Sequence, residues 1–219
     1  NKPMLQAFTI DPDISRAQTL PAWFYHDRGA FEAVRERIFA TSWQLVGDAD
    51  QLKAPGQVQP AAFLDPLAPE PLLLTHAEDG VLRCLSNVCT HRGNLVAEHP
   101  ACLRQLQCRY HGRRFGLDGR LTHMPEFDGV ADFPAEADHL KALPLHRWGP
   151  WLFTALNPAT TFEDWFGPVM ARMGWLADEP FVLDEVLSRN YLVRANWALY
   201  CDNYLEGFHI PYVHPGLQA

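Results

Sequence analysis

The most informative stretch of this chain is CTHRGNLVAEHPACLRQLQCRYHG, residues 89–112. It contains two short groups of metal-binding residue types, Cys89-Thr90-His91 and Cys108-Arg109-Tyr110-His111, separated by 16 residues. A glycine follows each group closely, Gly93 in the first case and Gly112 in the second. Glycine allows a backbone to turn tightly and to direct N–H groups at an inorganic centre. The stretch therefore predicts two tight loops that together hold a metal centre.

The order of the ligand types distinguishes between two kinds of metal centre. A Cys2His2 zinc site usually places its two cysteines together and its two histidines together. Here each loop supplies one Cys and one His, as a Rieske [2Fe–2S] cluster requires, because two thiolates hold one iron and two imidazoles hold the other. We therefore predict a Rieske cluster bound by Cys89, His91, Cys108 and His111, with a structural zinc site as the alternative.

A second segment rich in histidine and carboxylate, DNYLEGFHIPYVH, occupies residues 202–214. His209 and His214 suggest a mononuclear iron site, because an Fe(II) that activates O2 is typically held by two His and one carboxylate. On a continuous helix, Asp202, Glu206 and His209 would share one face, and a proline between the two histidines would disrupt the next turn. The alternative is a pair of ordinary helical histidines satisfied by neighbouring carboxylates.

Both segments resemble motifs of one protein family, the oxygenase (α) component of Rieske non-haem iron oxygenases, which includes ring-hydroxylating and choline-monooxygenase-like enzymes. The similar residues are the two Cys–His loops, their continuation at Arg114-Phe115 and Asp118-Gly119, and NYLEGFHIPYVH at 203–214. The resemblance covers roughly residues 20–217. The family usually has Pro where Arg109 stands and Trp where Arg113 stands, and neither position is a ligand.

The resemblance implies a role for each residue of the second segment. His209 and His214 would bind a mononuclear non-haem Fe(II). Glu206 would reach toward a Rieske histidine of a neighbouring subunit, and Asp202 and Asn203 would lie just outside the metal ligands. In the family the carboxylate ligand lies far downstream, so we expect the chain to be an N-terminal portion whose iron site is incomplete.

The resemblance also implies a reaction. Electrons from NAD(P)H would pass through a ferredoxin or flavin reductase to the [2Fe–2S] cluster, and then to the Fe(II) of a neighbouring subunit in a homotrimer or an α3β3 assembly. That iron would activate O2 and hydroxylate a small organic substrate, either aromatic or quaternary-ammonium-like. Two alternatives remain open: a Rieske-type electron-transfer protein, which would not need the second segment, and a non-catalytic oxygenase fragment.

Hydrophobic periodicity and turn residues predict an α+β protein. An antiparallel all-β Rieske domain is predicted over 43–157, and by resemblance 1–42 and 158–219 would begin a helix-grip catalytic domain, an antiparallel sheet with helices. The predicted helices are 30–40, 162–175 and 197–209. The predicted strands are 42–47, 58–64, 72–76, 81–86, 114–117, 120–121, 148–156 and 182–193.

Composition limits the partners of the chain. Its 219 residues are 47% hydrophobic and 20% charged, as in a globular protein, and its net charge of −8 argues against nucleic acid as a partner. No apolar run is long enough to span a membrane. Five cysteines without a signal peptide predict a cytoplasmic location.

One region departs from the overall acidity. Residues 89–120 contain six arginines and two acidic residues, a local excess of four positive charges. Such a patch would attract an acidic ferredoxin or reductase. The alternative is that these arginines offset cluster charge and form ion pairs within the domain.

Overall fold

The computed structural model of the chain describes residues 7–64, 70–182, 184 and 186–217. The described residues form two compact units, one from within Asn1–Val34 and Val182–Ala219, the other from Arg35–Phe181. Helices and antiparallel strands are both present, which confirms the α+β fold class. The domain boundaries at 42/43 and 157/158 stay a prediction, because compact packing does not by itself define a domain.

The larger unit is built mainly from short antiparallel strands. Its described strands are β1 Gln44–Asp48, β2 Gln57–Phe63, β3 Glu70–His76, β4 Leu82–Ser86, β5 Ala101–Cys102, β6 Leu106–Gln107, β7 Arg114–Phe115, β8 Leu121–His123, β9 Ala142–Leu143, β10 Leu145–Trp148 and β11 Trp151–Thr154. They form a five-stranded sheet of order β5-β2-β3-β4-β9 and two three-stranded sheets of orders β1-β11-β10 and β6-β7-β8.

The helices are fewer and short. They are α1 Arg28–Val34, which continues as a π-helical turn Arg35–Phe39, then α2 Phe162–Met173, α3 Trp197–Tyr204 and α4 Ile210–Val213. Single 3-10 turns occur at Ala22–Tyr25, Ala49–Leu52, Glu136–Asp138, Gly174–Asp178 and Pro215–Leu217. Within the described residues, no helix is both long enough and apolar enough to cross a bilayer.

The central strand β3 separates two hydrophobic cores. Its residues Leu72, Leu73 and Leu74 are all fully buried, and successive side chains of a strand point to opposite faces. Leu73 belongs to a core that includes Cys89 and Cys108 and the small β6-β7-β8 sheet. Leu72 and Leu74 belong to a second core, shared with β11. The predicted cluster cysteines are therefore packed onto one face of the main sheet.

Helix α2 closes a third, aromatic core. Its first residue, Phe162, packs with Trp43 and Phe153, and the ring centroids of Trp43 and Phe162 are 5.4 Å apart in an edge-to-face arrangement. Thr161 caps the helix, since its hydroxyl accepts a hydrogen bond of 3.1 Å from the N–H of Asp164. The predicted helix 162–175 is confirmed over most of its length.

Both predicted hairpins are confirmed. Strands β3 and β4 pair antiparallel from Leu72 opposite Ser86 to His76 opposite Leu82. Strand β7 pairs with β8, Arg114 lying opposite His123. Each hairpin has a turn that contains Asp-Gly, a strong local hairpin signal in a sequence.

The prediction of one buried strand over 148–156 is wrong. The chain reverses at Gly149-Pro150, and Trp148 pairs directly with Trp151 across this two-residue turn. The hydrophobic pattern is shared by both strands of the resulting β10-β11 hairpin, whereas Gly-Pro is a turn signal that the apolar run masked.

The prediction of a long strand over 182–193 is also wrong for the residues that the structure describes there, since none of them has strand structure. Their side chains are exposed, Tyr191 at 84% and Leu192 at 93%. A strand requires a neighbouring strand to accept and donate its backbone hydrogen bonds. Among the described residues, no strand pairs with this segment.

Candidate cluster site and candidate iron site

The first predicted loop is a tight turn that begins at a buried cysteine. The N–H of Cys89 donates to the carbonyl of Asn94 at 2.8 Å, and the N–H of Gly93 donates back to the carbonyl of Cys89 at 3.0 Å. Gly93 has φ +72°, a conformation that a residue with a side chain rarely adopts. This geometry explains why glycine follows the first Cys–His group.

The second predicted loop repeats the same hydrogen bonds. The N–H of Cys108 donates to the carbonyl of Arg113 at 2.9 Å, and the N–H of Gly112 donates to the carbonyl of Cys108 at 3.1 Å. Gly112 has φ +73°, and a Cβ at this position would lie 3.3 Å from the side chain of Pro125. The two loops thus share one backbone design, as expected of two halves of a single binding site.

The two loops bring all four predicted cluster residues together. Cys89 and Cys108 are each 2% exposed and belong to the same hydrophobic core. The ring centroids of His91 and His111 are 4.6 Å apart, with His91 exposed and His111 partly buried. Thiols at the interior and imidazoles toward solvent fit a cluster whose thiolate-bound iron is buried and whose imidazole-bound iron lies nearer the surface.

The surroundings of the site influence protonation of its ligands. Burial, more than any other factor, raises the pKa of the Cys89 thiol. Desolvation lowers the pKa of His91, and the positive charges of His111, Arg113 and Arg92 lower it further. A neutral imidazole is the form that binds a metal. The surroundings therefore favour the form of His91 that binds a metal.

Three residues beside the loops were not among the predicted site residues. The guanidinium of Arg113 is buried and donates to the hydroxyl of Thr90 at 2.6 Å and to the carboxylate of Asp138 at 2.9 Å. The hydroxyl of Thr90 in turn donates to the backbone carbonyl of Asp138 at 2.7 Å. The only signal in the sequence was the departure from the family at Arg113, whose partner Asp138 lies 25 residues away.

Tyr110 lies between the two candidate ligands of the second loop. Its side chain is 58% exposed, and its ring lies against that of His111 with centroids 3.8 Å apart. In this position Tyr110 covers one face of a ligand imidazole.

In the second segment, the predicted helix 197–209 is wrong in its last part. Helix α3 ends at Tyr204, so Asp202, Glu206 and His209 do not share the face of one helix. The carboxylate of Glu206 accepts hydrogen bonds from the backbone N–H groups of Phe208 and His209. These N–H groups would otherwise donate to carbonyls one helical turn earlier, so the acidic side chain competes with the helix.

The two predicted iron ligands nevertheless lie close together. The ring centroids of His209 and His214 are 5.4 Å apart, with the rings nearly perpendicular. Pro211 does not break a helix but lies in the first turn of α4, where proline is tolerated because that N–H has no helical partner. The short helix α4 lies between the two histidines in the sequence, and its single turn places their rings next to each other in space.

Glu206 is placed against the first of these histidines. Its carboxylate lies 2.5 Å from Nδ1 of His209, and this hydrogen bond is the main reason that the pKa of Glu206 is lowered. An acceptor on Nδ1 leaves Nε2 of His209 free to bind a metal. The predicted bridge from Glu206 to a neighbouring subunit stays a prediction.

Asp202 and Asn203 lie on the last turn of α3 and are exposed. The carboxylate of Asp202 accepts a 2.5 Å hydrogen bond from the hydroxyl of Tyr25, and this contact raises the pKa of Tyr25. No sequence motif connects Tyr25 with Asp202, so their contact could not be predicted from the sequence. Within the described residues, no three His, Cys, Asp or Glu side chains are arranged to hold one metal ion.

Two family models match the chain, one over each segment. The Rieske [2Fe-2S] domain matches residues 42–134, a range that contains all four predicted cluster ligands. The model "Ring hydroxylating alpha subunit (catalytic domain)" matches residues 173–219, which contain the predicted iron ligands.

Curated relatives match both segments at once. Choline monooxygenase (chloroplastic) of Arabidopsis thaliana is 30% identical over 225 residues, 96% of this chain and 52% of its own length. The carnitine monooxygenase oxygenase subunit of Escherichia coli strain K12 is 34% identical over 204 residues, 91% of this chain and 53% of its own. The chain spans about half the length of the curated relatives that it matches.

Solved structures agree with these relatives. The quaternary ammonium Rieske monooxygenase CntA matches with a TM-score of 0.74 and 28% identity, over 92% of this chain and 56% of its own. Naphthalene 1,2-dioxygenase from Rhodococcus sp. also matches with a TM-score of 0.74, but at 22% identity, which shows a shared fold alone. With both α-subunit domains matched in order and monooxygenases among its relatives, the chain belongs to the α (oxygenase) subunits of Rieske oxygenases.

Proposed function

We propose that the whole protein is the oxygenase component of a multicomponent Rieske monooxygenase that hydroxylates a quaternary ammonium compound. The observation that carries this proposal is the presence, in one chain, of two convergent Cys–His loops and a pair of adjacent histidines. A Rieske cluster held by the loops would supply single electrons, and an Fe(II) held by His209 and His214 would supply O2 activation. An electron carrier alone would have no use for the second site.

The residues of the chain would divide the remaining work. Cys89 and Cys108 provide thiolates in a dry interior, which limits access of water to the sulfur atoms. His91 and His111 provide imidazoles at the surface, where an electron can enter or leave over a short distance. Glu206 orients His209 through Nδ1, the type of contact that fixes the tautomer and direction of a metal-binding imidazole.

The substrate class follows from the relatives. Those at 30% and 34% identity are named choline monooxygenase and carnitine monooxygenase, and CntA is named a quaternary ammonium monooxygenase. The matched aromatic dioxygenase is more distant, at 22% identity. We therefore favour a quaternary ammonium substrate over an aromatic one, and monooxygenation over dioxygenation.

The remaining parts of the system are proposals by family resemblance. They are a ferredoxin or flavin reductase that takes electrons from NAD(P)H, an assembly as a homotrimer or α3β3 complex, and a cytoplasmic location. Exposed aromatic and aliphatic side chains are frequent in the second segment, for example Phe208 at 85% and Tyr212 at 88%. Such a surface is consistent with burial against further catalytic-domain structure or a neighbouring subunit.

Single-turnover chemistry with the full-length protein would test the proposal. The chemically reduced holoenzyme would be mixed with 18O2 and with choline, carnitine, γ-butyrobetaine or naphthalene, and products would be measured by mass spectrometry. We expect one 18O atom in the product of a quaternary ammonium compound and none from naphthalene. The His209→Ala variant should keep its cluster and form no product. Product from naphthalene alone would overturn the substrate class, and oxidation of the cluster by O2 without product from any of the four compounds would favour an electron carrier.

A further inference from the structure

The structure places a buried positive charge directly beside the cluster loops. The side chain of Arg113 is 4% exposed and lies two residues after His111, in the second loop. It forms an ion pair with Asp138 at 2.9 Å and lies over the ring of Phe133, with 5.6 Å between the guanidinium carbon and the ring centroid. Its Nε has no hydrogen-bond partner among the described residues.

A buried guanidinium is costly to maintain. Removal of a charge from water carries a penalty that an ion pair only partly offsets, and apolar residues of similar size are often equally stable in such positions. A charge kept in this buried position therefore calls for a role besides packing.

The contacts of Arg113 connect the two loops to a third element. One guanidinium nitrogen donates to the Thr90 hydroxyl, 2.6 Å away, and Thr90 stands between the two ligands of the first loop. Thr90 donates onward to the Asp138 carbonyl at 2.7 Å, at the end of the 3-10 turn Glu136–Asp138. The hydroxyl thus both accepts and donates, so its orientation is determined on both sides.

The charge of Arg113 also lies close to the first loop, because its guanidinium contacts Thr90, the residue between Cys89 and His91. Its partner Asp138 compensates the charge only in part, because that carboxylate is 24% exposed and water screens an exposed charge more strongly than a buried one.

We propose that Arg113 is a positioning residue that holds Thr90 in place between Cys89 and His91 and raises the reduction potential of the cluster. Reduction adds one negative charge to the cluster, and a nearby positive charge in a medium of low polarity stabilises the added electron. The negative charge of Asp138 opposes this effect. The reduction potential of the cluster is therefore lower than it would be with Arg113 alone and higher than it would be with Asp138 alone. The inference rests on the cluster assignment within the proposed function and is independent of the substrate.

Potentiometric titration of the full-length holoenzyme, followed by EPR and visible circular dichroism, would test this role. Arg113→Gln should make cluster reduction at least threefold less favourable, or about 28 mV at 59 mV per tenfold change for one electron. Arg113→Lys should recover at least half of that shift. Asp138→Asn should change the potential in the opposite direction, because it removes the negative partner and leaves the guanidinium.

Arg92→Gln provides the matched control, since it removes the same charge from an exposed position in the first loop. Its shift should be less than half that of Arg113→Gln. A merely structural role would give equal potentials in all variants that retain the cluster, or shifts of the same sign for Arg113→Gln and Asp138→Asn, and either result would overturn the proposal.

Two further outcomes are decisive as well. If Arg113→Gln does not assemble a cluster, the comparison of Arg113→Lys with Asp138→Asn decides: a higher potential in Asp138→Asn alone supports the proposal, and an unchanged or lower one contradicts it. A wild-type protein without any Rieske signal would overturn the cluster assignment and this proposal with it. Equal potentials would overturn this proposal alone.

Discussion

At the scale of single residues, function depends on the different environments of chemically similar groups. Cys89 and Cys108 are buried next to each other, whereas Cys102 and Cys201 are exposed. His91 and His111 lie against each other, whereas Nδ1 of His139 accepts a 3.0 Å hydrogen bond from the backbone of Leu121. Residue type alone does not distinguish the candidate ligands from the other cysteines and histidines, whereas the pairing of Cys with His in the two loops selects the residues that lie together in the structure.

Replacement of one imidazole ligand by a thiolate should lower the cluster potential. His111→Cys adds negative charge to the ligand set, and clusters with thiolate ligands alone have lower potentials than Rieske clusters. His123→Cys, at the exposed end of β8, serves as the matched control and should leave the potential unaltered. Redox titration would measure both, and an unchanged potential in a cluster-bearing His111→Cys protein would show that His111 is not a ligand.

Removal of the charge of Glu206 should reduce turnover without loss of the mononuclear iron. Glu206→Gln keeps the size of the side chain but weakens the hydrogen bond to Nδ1 of His209. We expect an intact Rieske spectrum, retained mononuclear iron and a turnover reduced more than tenfold in the full-length enzyme. His209→Ala should instead lose the mononuclear iron. Near-normal turnover in Glu206→Gln would show that this contact does not limit turnover.

At the scale of secondary-structure elements, strand β3 packs against the two candidate cluster cysteines. Leu73 shares a core with both cluster cysteines, whereas Leu72 points to the opposite core. Neighbouring residues of one strand therefore affect different parts of the domain.

Truncation of these two leucines should have equal effects on stability and unequal effects on the cluster. Leu73→Ala and Leu72→Ala each remove a fully buried side chain, which costs about 2–5 kcal/mol. Only Leu73→Ala opens a cavity in the core that contains the cysteines, so it should also reduce the iron content and the 2Fe–2S absorbance. Denaturant unfolding and iron analysis would measure these effects, and an equal loss of cluster in both variants would contradict the two-core description.

Sequence patterns predicted the elements whose signals are local. The two Asp-Gly hairpins and helix α2 were predictable because a turn or cap residue and a hydrophobic period lie within a few positions of each other. The strand over 182–193 was not, because strand formation depends on a neighbour that no local pattern reveals. The helix prediction past Tyr204 failed because helical periodicity does not show that the Glu206 carboxylate takes up backbone N–H groups.

The candidate sites show the same division. The two tight loops were predictable, because each Cys–His group and its glycine lie within five residues of one another. The contact of Tyr25 with Asp202 joins residues 177 positions apart, and that of Arg113 with Asp138 joins residues 25 apart. Such contacts depend on the folded arrangement of distant segments.

At the scale of the whole molecule, the protein is acidic but has a basic surface around the cluster loops. The net charge is −8, yet Arg92, Arg104 and Arg109 are exposed around the cluster loops. Of the six arginines in 89–120, Arg113 pairs internally with Asp138. Internal pairing therefore applies to Arg113, and a docking role of the exposed arginines stays a prediction.

Reduction by the physiological electron donor should consequently depend on salt. Exposed charges attract an acidic donor over a distance that ionic strength shortens. We expect the rate of cluster reduction to fall as salt increases, and Arg109→Gln to slow it at low salt. Arg28→Gln, which removes an exposed charge in α1, is the control and should have no effect. Stopped-flow absorbance would measure the rates, and equal rates in both variants would argue against a docking role.

The central claim is that Cys89, His91, Cys108 and His111 bind one Rieske cluster, and EPR spectroscopy of the purified, reduced protein tests it most directly. The account predicts a red-brown protein with two irons and two sulfides per cluster and the rhombic EPR signal of mixed cysteine and histidine ligation. A colourless, EPR-silent protein that contains one zinc per chain would contradict it.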